Sequence, residues 1–363
     1  MNASYFKSVH ALRGFAALSV MFFHFRWNIN AKSSGLGDSL FGWGATGVDL
    51  FFLISGFVIV LTLKTTPATL SGTVHFLKRR LFRILPAYYI ILIITFLLSG
   101  AMSTFHYADK TQNLISALTF QPIYPEHGPF YVDDSGMYGI RWTLNYELYF
   151  YLAVGLLLGL PRRALAIAIW FVLTLFAIPW LAGKNLSLAE QGYDLGSAQL
   201  NLVTNPMILL FLVGMLIGLS VPLLRKLNSY LMLIMFVASV AMMVTLFSQG
   251  LFVGHGLTGS GWIYALILLF AVASEERIGK LIPRAWLKLG DISFSLYLVH
   301  TLMNGGIGKR LNDMGIEEGV LRFSVSVALS LLLAWLAWKY IERPFNALNK
   351  RSASAAGLAI TKG

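Results

Sequence analysis

Residues 46–63 read TGVDLFFLISGFVIVLTL, an apolar run with one charge, Asp49, close to its start. Roughly 18 to 20 such residues, wound as a helix, cover the ~30 Å of a bilayer's hydrocarbon core, so the stretch reads as a membrane-spanning helix. Runs of the same kind recur along the chain. We place spans at about 8–26, 46–63, 80–99, 143–160, 164–181, 203–221, 229–248, 257–274, 288–307 and 320–341. The predicted fold is all-α, a polytopic transmembrane helical bundle of about ten helices, forming one domain over 1–345. Residues 346–363 are small and polar without periodicity, and read as a disordered cytoplasmic tail.

Composition agrees with the spans. Of 363 residues 57% are hydrophobic and 12% charged, with a mean hydropathy of +0.69, too apolar for a water-facing globule. The first run lacks a small-residue cleavage site and contains Arg13 and His24, so it reads as a retained helix rather than a signal peptide. The absence of cysteine excludes disulfides, thiolate metal sites and a cysteine nucleophile, and no sequence motif calls for a metal. The net charge of +12 is divided among short loops instead of gathered on one face, which argues for membrane orientation and against nucleic acid. With a cytoplasmic amino terminus, 20 of the 28 Lys and Arg residues fall on the cytoplasmic side, and the positive-inside rule then puts both termini there. The apolar stretch 113–124, in the long outer segment 100–142, is too short to cross and reads as interfacial or re-entrant.

Ionisable residues inside spans are costly and need a reason. Four lie towards the outer ends of four different helices: His24, Asp49, Glu147 and His300. An imidazole exchanges protons near neutral pH and a carboxylate can orient it, so His24 beside Asp49 or Glu147 would form a general-base pair able to activate a hydroxyl. For His24 and Asp49 the competing reading is a headgroup-level or capping role. Glu147, among Trp142, Tyr146, Tyr149 and Tyr151, has an interhelical hydrogen bond as its alternative, and His300 has simple packing. On the cytoplasmic side LKRRLFRILPAYY puts Arg80 and Arg83 on one helix face, where guanidinium forks suit phosphates and also serve as plain membrane anchors. Arg13 lies eleven residues before His24, about 16 Å away along the helix, and can either meet an anionic ligand or snorkel to the inner headgroups. GWGATG at 42–47 fits the glycine pattern of a dinucleotide loop but lacks the preceding strand; its glycines, with Ser55 and Gly56 further on, read as points of close helix approach.

ALRGFAALSVMFFHF with Arg13 and His24, GVDLFFLISGF, RRLFR, WTLNYELYFY, GDISFSLYLVH and IERPF, in that order, resemble the bacterial integral-membrane acyltransferase family 3 over nearly the whole chain. The resemblance implies transfer of acyl groups, often acetyl, to hydroxyls of carbohydrates and other envelope or secreted molecules. It implies His24 as the catalytic residue, with Arg13 in the same essential pair, Arg80 and Arg83 as the acyl-coenzyme A contact, and Glu147 as the acidic residue of the fourth-helix motif. Thr143 stands where the family commonly has serine, so a hydroxyl is kept. The chain looks like the single-domain form without an SGNH-type hydrolase.

The expected activity is therefore O-acylation, with acyl-CoA, most simply acetyl-CoA, as donor and an envelope or exported carbohydrate, free or lipid-linked, as acceptor. The expected site is that of a multi-pass bacterial inner-membrane protein: His24, Asp49, Glu147 and His300 for catalysis, and Arg13, Arg80 and Arg83 for the donor. The alternative from another class is a transporter of a small anionic or lipid-linked solute, its buried charges lining a path.

Overall fold

A computed structural model describes residues 6–99, 101, 103–134 and 138–348. Among these there is no β-strand. Helix α1 (Lys7–Asn30) is followed by a short helix and a 3-10 turn, Leu36–Phe41 and Gly42–Thr46, that lead into α2 (Gly47–Leu63). The chain continues through α3 (Leu70–Ser99), α4 (Ala108–Thr119), α5 (Arg141–Leu158), α6 (Arg163–Leu181), α7 (Ile208–Leu224) and α8 (Ser229–Ser248). It closes with α9 (Trp262–Ala273), α10 (Arg284–Val299) and α11 (Val320–Ala337). From 349 on, the expected tail lies outside the described residues.

A helix stands at each of the ten predicted places, but among the described residues only seven helical stretches are long and apolar enough to cross a membrane. An eighth is added if Leu257–Ala273 and Glu275–Leu281, bent by 92° at their junction, form one broken span. The count falls short of ten because α5 carries Arg141, Asn145 and Glu147, and α10 carries Lys288 and Asp291. Both helices are lined by the residues that build the site below.

Three boundaries differ from expectation for local reasons. Helix α3 starts at Leu70, a decade earlier than predicted, because Lys78, Arg79 and Arg80 are good helix formers that merely leave hydrocarbon. The predicted span 203–221 is broken before α7, where Pro206 has no N–H to give and Asn205 Oδ1 accepts from Met207 N–H at 2.8 Å. The predicted span 288–307 ends at Val299 and tightens into a 3-10 turn, His300–Met303, ahead of Asn304-Gly305-Gly306. His300 therefore sits at a helix end.

Residues 113–119 of the stretch read as interfacial or re-entrant lie on α4, a helix of twelve residues that is too short to cross, and 120–124 follow it without helix. It is tied to the bundle by Tyr88 OH donating to Ala117 O and Tyr89 OH donating to Leu118 O, each at 2.8 Å. Buried Arg141 braces it further, bonding Asn113 and Ser116. Helix α8, by contrast, exposes Leu231, Ile234, Val237 and Val244, a surface for lipid chains.

Helices α2 and α7 touch backbone to backbone through two glycines. A Cβ added at Gly56 would stand 2.0 Å from Phe211 O, and one at Gly214 would stand 1.9 Å from Leu53 O. Neither neighbour is a flexible side chain. Gly56→Ala or Gly214→Ala must therefore push the helices apart, and we expect each to lower stability by about 1–3 kcal/mol, seen as a lower thermal midpoint of the detergent-solubilised protein.

Candidate active site

Helix α1 sets the axis of the site. Arg13 and His24 are eleven residues apart, close to three full turns, so they leave the same face of α1 at levels about 16 Å apart.

Arg13 lies between two cavities. One, of about 380 Å³, is lined by His10, Arg13, Thr62 and Arg79. The other is a narrow chamber of about 60 Å³ where Arg13 meets Ser55 of α2, Arg83 of α3, Thr143 and Glu147 of α5, and Tyr297 of α10. Glu147 accepts from Ser55 Oγ at 3.0 Å and from the Tyr151 hydroxyl. Buried Arg80 donates from Nη2 to Thr62 Oγ1 at 2.8 Å, and its guanidinium lies 5.3 Å from the centre of the Tyr151 ring. Tyr151 thus links Arg80 to Glu147. Glu342, in the wide turn that continues α11, accepts from Ser295 Oγ at 2.8 Å and is near enough for Arg13 and Arg83 to feel its charge. Yet among the described residues no carboxylate oxygen comes within 4.0 Å of Arg13, Arg80 or Arg83.

His24 opens into a cavity of about 780 Å³ at the other end of α1. Its ring lies 4.9 Å from that of His300, and its carbonyl accepts from Asn304 Nδ2 at 2.9 Å. His300 is fully buried. Its Nδ1 is 3.2 Å from Leu296 O, which makes Nδ1 the protonated nitrogen and leaves Nε2, without a hydrogen-bond partner among the described residues, as a lone-pair acceptor.

The carboxylates expected beside His24 are engaged elsewhere. Glu147 belongs to the arginine chamber, and Asp49, fully buried, accepts from His255 Nδ1 at 3.0 Å, Gly256 N–H at 2.9 Å and Ser260 Oγ at 2.7 Å. Asp49 thereby fastens the loop before α9 onto the start of α2, which fills its lone pairs and keeps it from the imidazole of α1. Burial draws the His255 pKa down, but the charge and hydrogen bond of Asp49, helped by Glu190, overcome it and the net shift is upward. A raised folded value means that this contribution to stability is fully present below the unfolded value of about 6.5 and is lost as pH rises through the folded one. We expect the melting temperature to fall across that window, and the fall to flatten in His255→Asn.

Comparison with known proteins decides the family. A family profile described as an acyltransferase domain matches residues 6–339. The chain belongs to acyltransferase family 3. It is similar to the exopolysaccharide production protein ExoZ of Rhizobium meliloti (strain 1021), 28% identical over 331 residues that cover 87% of this chain and 94% of the relative. It is also similar to nodulation protein 10 of Rhizobium leguminosarum bv. viciae, 32% identical over 175 residues, 42% of this chain and 44% of the relative. No solved structure matches. The chain is thus an integral-membrane acyltransferase.

In this acyltransferase one side chain stands between the two ends. The Tyr297 ring closes the arginine chamber, while its hydroxyl is 2.7 Å from Thr143 Oγ1 and donates to Ile140 O at 3.1 Å. Ile140 lines the His24 cavity, and the Tyr297 ring is 5.8 Å from that of His300. Tyr297, Glu342 and His255 were missed by sequence reasoning. The first two lie inside motifs quoted above, and a carboxylate directly after the last predicted span, 320–341, was a usable signal. His255, in a glycine-rich loop, offered none. Among the described residues no group of three His, Cys, Asp or Glu is placed to hold a metal ion.

Proposed function

We propose that this acyltransferase takes an acyl group, acetyl, from cytoplasmic acyl-coenzyme A and esterifies a hydroxyl of an envelope or exported carbohydrate on the far side of the bacterial cytoplasmic membrane. The observation that carries the reading is the placement of Arg13 and His24 on one face of α1, each opening into its own cavity. The wider cavity, lined by His10, Arg13 and Arg79, receives the nucleotide; Arg83 in the narrow chamber and Arg80 beside it are the further donor contacts, and the pantetheine arm leads past Tyr297 to His24. The excess of basic residues on the arginine side supports a cytoplasmic amino terminus. The printed name of the longer-matching relative, an exopolysaccharide production protein, supports a polysaccharide acceptor.

At His24 the imidazole removes the proton of the acceptor hydroxyl as its oxygen bonds to the thioester carbonyl carbon. The C–S bond breaks, the coenzyme A thiolate takes up that proton, and ester and free thiol result. The lone pair on His300 Nε2 steadies the transient imidazolium. Glu147 orients the arginine chamber through Ser55 and Tyr151, and Asp49 holds the outer loop in place.

Mass spectrometry of envelope glycans from cells with and without the protein tests this. We expect an acetyl ester on a glycan to vanish with it. Unchanged glycans together with solute flux through the purified protein would instead support a transporter.

A further inference from the structure

The far side of this membrane protein is poor in positive charge, with only eight of the 28 basic residues predicted there. The structure accounts for several of the eight. Lys32 pairs with Glu317 at 3.6 Å, and Lys110 lies over the Tyr107 ring. Arg141 is consumed by Asn113, Ser116 and Tyr138, and buried Arg322 by Asn312, Ile316 and Gly308. Three of the remaining four, Arg26, Lys309 and Arg310, converge on one place, the His24 cavity.

Their roles there differ. Arg26 is bound to Asp38 at 2.7 Å and lies over the rings of Phe23 and Trp27, so it is neutralised and positions aromatic surface at the cavity. Trp27 is 56% exposed, a face on which a sugar ring can stack. Lys309 and Arg310 are adjacent and exposed on the helix Gly306–Asp313, and among the described residues neither makes an ion pair. Against them the cavity offers one carboxylate, Asp134. A neutral glycan has no use for two uncompensated cations beside the reacting hydroxyl, whereas an anionic one is drawn in and oriented by them.

We propose that the His24 cavity is built for an anionic acceptor, a carbohydrate carrying a carboxylate or phosphate oxygen that Lys309 and Arg310 hold while a nearby hydroxyl meets His24. This rests on the reading of the chain as an O-acyltransferase with its acceptor at His24. The anion has two sources, an acidic sugar or the pyrophosphate of a lipid carrier, and both present the same oxygens to the same cations.

The test uses the full chain in nanodiscs of zwitterionic lipid, with acetyl-CoA and three acceptors. These are a uronate-containing oligosaccharide, the same oligosaccharide with its carboxyl reduced to an alcohol, and that reduced glycan on a polyprenyl pyrophosphate. The wild type should favour at least one anionic acceptor over the neutral one by about tenfold or more in kcat/KM, and the favoured one names the source. In Lys309→Gln/Arg310→Gln, with Lys309→Gln alone as a milder companion, that ratio should collapse to about twofold, while KM for acetyl-CoA stays put. Equal use of all three acceptors by the wild type, or an intact preference in the double variant, overturns the proposal. If the wild type transfers acetyl to none of them, the O-acyltransferase reading fails and takes this inference with it. Transfer without charge discrimination sinks the inference alone.

Discussion

Replacing His24 by alanine is expected to lower acyl transfer on the order of 10³-fold or more while leaving the protein folded and able to bind the donor. The size follows from the surroundings. His24 is the imidazole that lines the cavity of about 780 Å³, and the neighbour best placed to substitute, His300, is fully buried with Nδ1 committed to Leu296 O. His24→Ala leaves the arginine chamber three turns away intact, so KM for acetyl-CoA should stay close to that of the wild type. His300→Ala separates the roles. If His300 only steadies the imidazolium, its loss should cost less, about 10–100-fold, and act on kcat. The assay is transfer of labelled acetyl by purified protein in nanodiscs, at saturating donor. A His24→Ala enzyme within about tenfold of wild type would remove the imidazole from the chemistry.

Much of this architecture could be read from residue order, because hydrophobic length is a strong local signal. Every predicted span meets a helix. Where the reading erred, long-range pairing was at stake. His24 and Asp49 both sit near helix ends, so sequence placed them together, but Asp49 is satisfied by His255, Gly256 and Ser260, more than 200 residues further on. No local pattern announces such a partner. His300 erred in the other direction. It had no nameable partner in the sequence, and the packing of α1 on α10 puts its ring 4.9 Å from His24. Arg141 counted as an outer-loop charge, and it is 1% exposed because four hydrogen bonds replace its water. Composition measures the price of burying a group and is silent on what offsets it.

Arg83→Ala should raise KM for acetyl-CoA by about 100-fold and, without donor, leave the protein as stable as the wild type or more so. Three guanidiniums, Arg13, Arg80 and Arg83, meet in the interior of a membrane protein, and among the described residues none has a carboxylate within 4.0 Å. Glu147 and Glu342 moderate the field from further off, through Ser55, Tyr151 and Ser295 rather than by direct pairing. Unpaired charge in such a place is costly, and a cluster of it is retained where an anionic ligand completes the site. Arg80 is a poor probe of this, because alanine there also forfeits the Thr62 bond and the stacking on Tyr151. Arg83 lines the chamber without a hydrogen-bond partner among the described residues, so its removal relieves repulsion with Arg13 at little structural cost. Arg83→Lys keeps the charge and loses the two-pronged fork, and should fall between, near tenfold in KM. Donor titrations of kcat and KM, with melting curves in the absence and presence of acetyl-CoA, read both halves. If Arg83→Ala melts well below the wild type and its KM is unchanged, the guanidinium is a structural anchor and the donor's phosphates are held elsewhere.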